Sequence, residues 1–156
     1  MIRFRHALIG SLAAVLVVLL SAHAWADAAA PIQNTETLSI ELTVVQASKK
    51  GSVDPRLTKL GNDLARSFKG YKGFSFVEAH TFGVKHADSA VKRLKNGKVI
   101  VFSNMGKDSQ KLRVRLDIDG ANVMMKVREG ELWFHARREK GAKALILAVR
   151  ARSVGK

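Results

Sequence analysis

The strongest constraint on the fold is segment 111–138, in which charged and apolar residues alternate around two glycine turns. Alternation with a period of two is typical of strands that bury one face. Asp119-Gly120 and Glu129-Gly130 favour short hairpin turns, and both predict the same inward face for three successive strands. A one-residue slip would turn the inward residues of a strand outward, so this agreement favours a three-stranded meander. The predicted inward pairs are Leu116 with Val123, Val114 with Met125 and Leu112 with Val127 across the first turn, then Val127 with Leu132, Met125 with Phe134 and Val123 with Ala136 across the second.

The outward face of this meander carries mostly basic side chains. Arg113 falls opposite Lys126, and like charges set opposite each other in a sheet are unfavourable. Lys111 and Arg128 form a second such pair. Trp133 also falls opposite Lys126, within cation–π reach. The candidate ligand-binding residues of this face are Lys111, Arg113, Arg115, Lys126, Arg128, Trp133 and His135.

Three interpretations of this face stay open. In the first, an anionic ligand relieves the repulsion, and the aromatic ring offers a stacking surface. In the second, the long basic side chains splay into water and the face is simply solvated. In the third, a second sheet or a helix covers part of the face, and Trp133 and Met124 belong to the core.

The segments before the meander predict a strand, a helix and a second strand. Residues 37–47 alternate in the manner of a half-buried strand. Asp54-Pro55 favours a helix start, because the carboxylate can accept free backbone N–H groups and proline suits the first helical position; Gly70 favours its end. Residues 71–82 predict a strand that is buried on much of both faces or contains a bulge. The apolar face of the helix consists of Leu57, Leu60, Leu64, Ala65 and Phe68.

The remaining segments predict a hairpin, a loop and a closing strand. Asn96-Gly97 between two apolar runs favours a two-residue turn. Residues 103–110 are typical of a loop, and residues 143–152 of a last apolar strand. The order of elements indicates an α+β domain, mostly antiparallel and meander- or sandwich-like, with one amphipathic helix inserted after the first strand. The predicted hairpin pairs are Leu94 with Val99 and Val91 with Phe102.

The first 26 residues have the layout of a secretory signal peptide. Arg3 and Arg5 precede an apolar run over 7–20, and two small-x-small sites follow. We expect cleavage after Ala26, with cleavage after Ala24 as the next candidate. An uncleaved anchor is the alternative, although the run is short for a bilayer span of about 20 residues. The predicted organisation is a signal peptide at 1–26, a flexible leader at 27–36 and a single β-rich domain at 37–152, in a protein that is exported to the periplasm or beyond and is not transmembrane once cleaved.

The charge of the chain favours anionic partners. Its 156 residues include 27 Lys and Arg against 13 Asp and Glu, a net charge of +14. Cleavage after Ala26 would remove Arg3 and Arg5 and leave 25 against 13, a net charge of +12. Such a balance favours polyanions, and export disfavours nucleic acid. An anionic envelope component, a membrane surface among them, or an acidic protein is therefore the expected partner; the alternative is that the charge serves no specific partner.

The sequence carries no recognisable catalytic or metal-binding motif. It has no cysteine, no G-x-S-x-G, no H-E-x-x-H and no phosphate-binding loop. His80, His86 and Asp88 come nearest to a metal site, but their spacing matches no ligand pattern. We therefore expect no metal, no cofactor, no catalytic residue and no enzymatic activity.

Residues 37–82 carry a resemblance to a known group of proteins. A strand ending VVQASKKG, a helix VDPRLTKLGNDLARSF and a strand YKGFSFVEAHTF resemble the opening of a group of small secreted or periplasmic bacterial proteins without assigned function. Basic, glycine-turned strands and a closing apolar strand, here LILAV, follow in that group. The resemblance covers most of 37–152 and implies export and one β-rich domain. The group has no defined functional residues, so it implies none here.

These patterns together predict an exported, non-enzymatic envelope module. It would bind an anionic partner, whether a lipid, a glycan or an acidic protein, through the basic sheet face. Arginine would supply bidentate contacts to phosphate or carboxylate. Two alternatives are an assembly accessory of an envelope complex, which docks through apolar surface or a sheet edge, and a hydrolase of unrecognised type.

Overall fold

The computed structural model describes residues 36–154, so the predicted signal peptide and most of the predicted leader lie outside the described residues. Within this range no helix is long and apolar enough to cross a membrane. The described chain forms eight strands and one α-helix, which follows a 3-10 turn at Pro55–Leu57. The bounds are β1 Thr37–Ser48, α1 Thr58–Ser67, β2 Gly73–Lys85, β3 Ser89–Arg93, β4 Val99–Asp108, β5 Lys111–Ile118, β6 Ala121–Arg128, β7 Leu132–Glu139 and β8 Lys143–Val154.

The strands form two four-stranded antiparallel sheets that share one core. Sheet A has the order β2-β1-β8-β7 and sheet B the order β3-β4-β5-β6. Ile40 and Val149 of sheet A lie in one apolar cluster with Phe102 and Leu116 of sheet B, and each is at most 1% exposed. The predicted α+β fold, mostly antiparallel and sandwich-like with one helix after β1, is therefore confirmed.

The helix covers part of the opposite face of sheet A. Leu57 and Leu64 lie in a second buried cluster with Ile146 of β8. The ring of Phe68 meets that of Phe134 edge-on, with centroids 5.6 Å apart. Burial of a leucine or isoleucine side chain stabilises a fold by about 1.5–3 kcal/mol. This packing holds the helix in place, since ten α-helical residues alone are too few for a stable helix in water.

The start of the helix forms as predicted. One oxygen of the Asp54 carboxylate accepts the Arg56 N–H at 2.9 Å, and the other accepts the Phe76 N–H of β2 at 3.2 Å. The cap therefore ties the helix to the sheet as well. The predicted apolar face is wrong only at Ala65, which is exposed because it lies at the margin of the stripe, next to the buried Leu64.

The first glycine turn of segment 111–138 is confirmed. Asp119 and Gly120 have φ values of 47° and 78°, the left-handed conformation that a two-residue hairpin turn requires. Ile118 faces Ala121 across it. The three predicted pairs form, Leu116 with Val123, Val114 with Met125 and Leu112 with Val127.

The second glycine turn does not form the predicted hairpin. In the described chain β6 pairs with β5, whereas β7 pairs with β8 in sheet A. The turn docks on β8: the Gly130 N–H donates to the Ala151 carbonyl at 2.8 Å, and the Glu129 carboxylate accepts the Ser153 N–H at 2.8 Å. Residues 144–149 of β8 are all buried, so this strand needs a neighbour at each edge, β1 on one side and β7 on the other.

The inward face of β7 differs from the prediction for the same reason. Trp133 packs against the core between the sheets, and Phe134 against the helix side. The expected pairs Val127 with Leu132, Met125 with Phe134 and Val123 with Ala136 are wrong. The observed pairs are Leu132 with Arg150, Trp133 with Val149, Phe134 with Ala148, His135 with Leu147 and Ala136 with Ile146.

The β3–β4 hairpin forms with a register one residue away from the prediction. Its loop has three residues, Lys95 to Gly97, and Gly97 takes the left-handed conformation at φ 83°. The Leu94 N–H donates to the Lys98 carbonyl at 2.8 Å and closes the loop. Such a loop is a type I turn followed by a left-handed residue, a common alternative to the two-residue turn. The observed pairs are Arg93 with Val99, Val91 with Val101 and Ala90 with Phe102.

The loop predicted at 103–110 is wrong, because β4 continues to Asp108. Asn104 is only 2% exposed, and its amide nitrogen donates to the carbonyls of Glu36 and Val84, both at 3.1 Å. Its amide oxygen accepts the Gly106 N–H at 2.9 Å. Polar residues thus continue the strand through an irregular pairing by satisfying backbone groups there.

The bulge expected as an alternative for β2 is present. The register with β1 shifts by one residue, so that Val44 faces Glu78 and Val45 faces Phe76. Glu78 is 6% exposed, and its carboxylate accepts the Lys95 N–H at 2.7 Å and lies 2.8 Å from the ring Nε2 of His80. A buried carboxylate thereby anchors the β3–β4 loop to sheet A.

Candidate functional site

A basic face lies on the outer side of sheet B. The even-numbered residues of β5 from Leu112 to Ile118 are buried in the core, so the odd-numbered ones point outward. The register of β5 and β6 is the predicted one and sets two pairs of like charges opposite each other: Lys111 with Arg128 and Arg113 with Lys126. We define the basic face as Lys111, Arg113, Arg115, Lys126 and Arg128.

Two carboxylates partly neutralise the basic face. Asp108 Oδ2 lies 2.6 Å from Lys126 Nζ, and Asp117 Oδ2 lies 3.0 Å from Arg115 Nε. The hydrogen bond from Lys126 holds the pKa of Asp108 below its usual value, and nearby cations of β5 act in the same direction. Asp108 therefore stays ionised across neutral pH, because the charges around it are mostly positive.

Three cations of the basic face are left over. Within residues 36–154, Lys111, Arg113 and Arg128 make no ion pair. The Glu131 carboxylate reaches Arg128 only at its backbone N–H, at 3.0 Å. Each like-charge pair costs about 0.2–1 kcal/mol. The face thus retains three cations that form no ion pair with a carboxylate of the described chain.

Apolar side chains share this face. Met124, opposite Arg115, is 48% exposed, and Val91 of β3 is 63% exposed. Val91 pairs with Val101, which pairs with Asp117 of β5. Because residues paired across a sheet point to the same side, Val91 on the edge strand β3 faces outward like Asp117. The cations of β5 and β6 therefore share one side of sheet B with exposed apolar groups on its two edge strands, β3 and β6.

Sequence reasoning missed the contribution of β3 to this face. The predicted register set Val91 opposite Phe102. In the structure Val91 pairs with Val101 and is exposed, and Arg93 lies on the same side of β3. The sequence feature that sets the β3–β4 register is the Asn-Gly turn, which fits both a two-residue and a three-residue loop. The alternation of Val91 with Lys92 alone does not decide which loop forms.

Trp133 and His135 lie away from the basic face, on β7 of sheet A. The Trp133 ring packs against the core and lies 6.5 Å from that of Phe102, so the predicted position opposite Lys126 is wrong. Its indole N–H is buried and has no hydrogen-bond partner in the described chain. Partial burial, the third interpretation, therefore holds for Trp133, whereas Met124 is exposed.

The environment of His135 suits a neutral ring. It is half-buried opposite Leu147. Burial lowers the pKa of His135 below its ordinary value, and the charge of Arg137 lowers it further. Protonation of this histidine would place a second positive charge beside Arg137 in a partly desolvated position.

The other histidines are not gathered into one site. Among residues 36–154, no three His, Asp or Glu side chains come together in a way that could hold a metal ion. His80 contacts Glu78, whereas the His86 ring packs on Gly106, where an added Cβ would lie 2.7 Å from the ring. His80, His86 and Asp88, whose spacing matches no ligand pattern, form no such cluster in the described chain.

Comparison with known proteins adds no relative. No protein-family model matches the chain, and neither a curated protein nor a solved structure matches it. The resemblance to small secreted bacterial proteins thus stays a prediction.

Proposed function

We propose that this domain is an exported, non-enzymatic binding module of the bacterial envelope that engages an anionic partner through the basic face. One observation carries the proposal: two pairs of like charges stand directly opposite each other, and three of their four cations have no carboxylate partner within the described chain. An anion laid across β5 and β6 would meet both pairs at once. Export rests on the N-terminal sequence pattern.

The chemistry of the face favours a lipid surface among anionic partners. Arg113 and Arg128 can each donate two parallel N–H groups to a phosphate. Val91 and Met124, both exposed on the same side of sheet B, can enter the boundary between headgroups and acyl chains. A glycan or an acidic protein would use the same cations but would gain less from these two apolar side chains.

The test compares two variants with equal loss of charge. Arg113→Gln with Arg128→Gln removes two unpaired cations of the basic face. Lys59→Gln with Lys69→Gln removes two exposed cations on or beside α1 and serves as the control. Each cation near an anionic membrane contributes about 1 kcal/mol, so the first variant should bind phosphatidylglycerol vesicles about thirtyfold more weakly than the parent. Equal weakening of vesicle binding in both variants would mean that binding depends on net charge alone, and would contradict the proposal.

An assembly accessory is the second candidate, supported by the exposure of Val91 and Met124 on one face. Apolar docking withstands salt, whereas attraction between exposed charges is screened within about 10 Å at 0.1 M salt. Val91→Ser with Met124→Ser should therefore abolish salt-resistant partner capture if assembly is the function. Vesicle binding that vanishes at high salt would favour the lipid instead.

A further inference from the structure

Three hairpins meet at one end of the domain. Lys98, beside the β3–β4 loop, places its Nζ 2.7 Å from Oδ2 of Asp119, which lies in the β5–β6 turn. Arg137, near the end of β7, places Nη1 3.1 Å from the same oxygen and donates to the Ile118 carbonyl at 3.4 Å. Asp119 thus contacts two cations, Lys98 and Arg137, that lie 39 positions apart in the chain and belong to hairpins of different sheets. These contacts fix the positions of both side chains.

A shallow depression of about 710 Å³ lies at this end. Its cations outnumber the acids: five basic side chains line it, with one carboxylate in its wall and Asp119 beside it. The wall carboxylate, Glu139, accepts a hydrogen bond from Gln46 at 3.3 Å and makes no ion pair within residues 36–154. The lining cations are Lys98, Arg137, Arg138, Lys140 and Lys143.

The cations of the depression fall into two groups. Lys98 and Arg137 are held by Asp119, whose pKa the hydrogen bond from Lys98 keeps below its usual value, so this support persists at mildly acidic pH. Arg138, Lys140 and Lys143 are exposed and form no ion pair in the described part of the chain. Positioned donors and free cations therefore surround the same space.

We propose that this depression is a second anion site, distinct from the basic face, and that it takes a ligand with clustered phosphate groups. A concave surface with five cations calls for a compact ligand of high charge density. Each phosphate monoester carries a charge of about −1.5 to −2 and three acceptor oxygens. Arg137 keeps N–H groups beyond the one that binds Asp119, and the lysines supply the remaining charge. Such groups occur on soluble polyphosphates and on phosphorylated lipid headgroups.

The test uses inorganic tripolyphosphate as the probe and isothermal titration calorimetry as the measurement. Lys140→Gln with Lys143→Gln should weaken binding about tenfold relative to the parent, since two charge-assisted contacts are lost. Lys59→Gln with Lys69→Gln, which removes the same charge, should change it less than twofold. Equal weakening in the two variants would overturn the proposal, as would absence of measurable binding to the parent. Thermal melts of each variant establish that it is folded.

Two further experiments distinguish the depression from the basic face, and a lipid headgroup from a soluble phosphate. Arg113→Gln with Arg128→Gln should leave tripolyphosphate binding intact, and a tenfold loss there would overturn the assignment to the depression. This arm also separates the two proposals, because the basic face can fail to bind vesicles while the depression still binds tripolyphosphate. Vesicles containing phosphatidic acid should compete with tripolyphosphate if the source is a lipid headgroup. A soluble ligand is indicated if they do not, and either result is consistent with the site.

Discussion

The β5–β6 hairpin and the β7–β8 hairpin are both antiparallel strand pairs, yet they meet different surroundings. The first buries only one side, so its cations and Met124 face outward. The second lies between the shared core and the helix, and residues 144–149 are buried on both faces. A sheet face is therefore open to a ligand only where no further layer covers it. Trp133 and His135 resemble binding residues in sequence but lie in the covered hairpin.

The two hairpins should differ most in how much the truncation of one side chain lowers the free energy of unfolding. Ile146→Ala, at a fully buried position under the helix, should lower the free energy of unfolding by about 2–5 kcal/mol. Met124→Ala, on the open face, should change it by less than about 0.5 kcal/mol. Urea unfolding of both variants measures the contrast. A loss for Met124→Ala as large as that for Ile146→Ala would mean that the basic face is covered.

The next prediction tests whether Trp133 packs in the core or contacts a ligand. Trp133→Ala should lower the free energy of unfolding by about 3 kcal/mol, the low end for a core tryptophan, because the ring contacts Phe102 but is only partly buried. Trp133→Phe should cost less, since it keeps an aromatic ring and removes a buried N–H that lacks a partner. Vesicle binding by Trp133→Phe should equal that of the parent. Folded Trp133→Phe protein that no longer binds would place Trp133 in the site after all.

A smaller effect sharpens the electrostatic account of the open face. Asp108→Asn removes a carboxylate beside Lys126 and keeps a hydrogen-bond acceptor. The basic face gains one unit of positive charge, which should tighten binding to anionic vesicles about fivefold. Asp63→Asn, on α1 and remote in sequence from both strands, is the matched control and should change binding less. Weaker binding by Asp108→Asn would show that Asp108 helps to shape the site.

The smallest effect concerns pH and the covered hairpin. The pKa of His135 in the folded protein lies below its ordinary value of 6.5, so the unfolded chain takes up a proton first as pH falls. The contribution of the neutral ring is complete above pH 6.5 and declines as pH drops toward the folded-state pKa. His135→Gln should therefore flatten the fall in unfolding free energy over this range. An unchanged slope would contradict the assignment.

Much of sheet B follows from local patterns in the sequence. The turn at Asp119-Gly120 and the alternation around it specify the register of β5 and β6, and with it the five cations of the basic face. The helix start at Asp54 is likewise local, because the cap acts on the next turn of chain. Such features depend on residues a few positions apart, and those are the ones that a single sequence displays.

The rest depends on contacts between distant segments. Glu129-Gly130 resembles a hairpin turn, but its N–H and carboxylate bind β8, more than twenty residues later. That pairing, which no local pattern displays, moves Trp133 and His135 to the other sheet. The depression at Lys98 and Arg137 is also invisible in sequence, because three separate hairpins must meet to form it.

The central claim, that the basic face of sheet B binds an anionic lipid surface, has a direct spectroscopic test. Backbone ¹H–¹⁵N spectra of the purified protein would be recorded during titration with phosphatidylglycerol bicelles. The account predicts that the largest shifts and line broadening fall on β5 and β6, around Arg113 and Arg128, while the amides around Trp133 on β7 change little. Changes concentrated on the amides around Trp133 and His135, or no change at low salt, would contradict it.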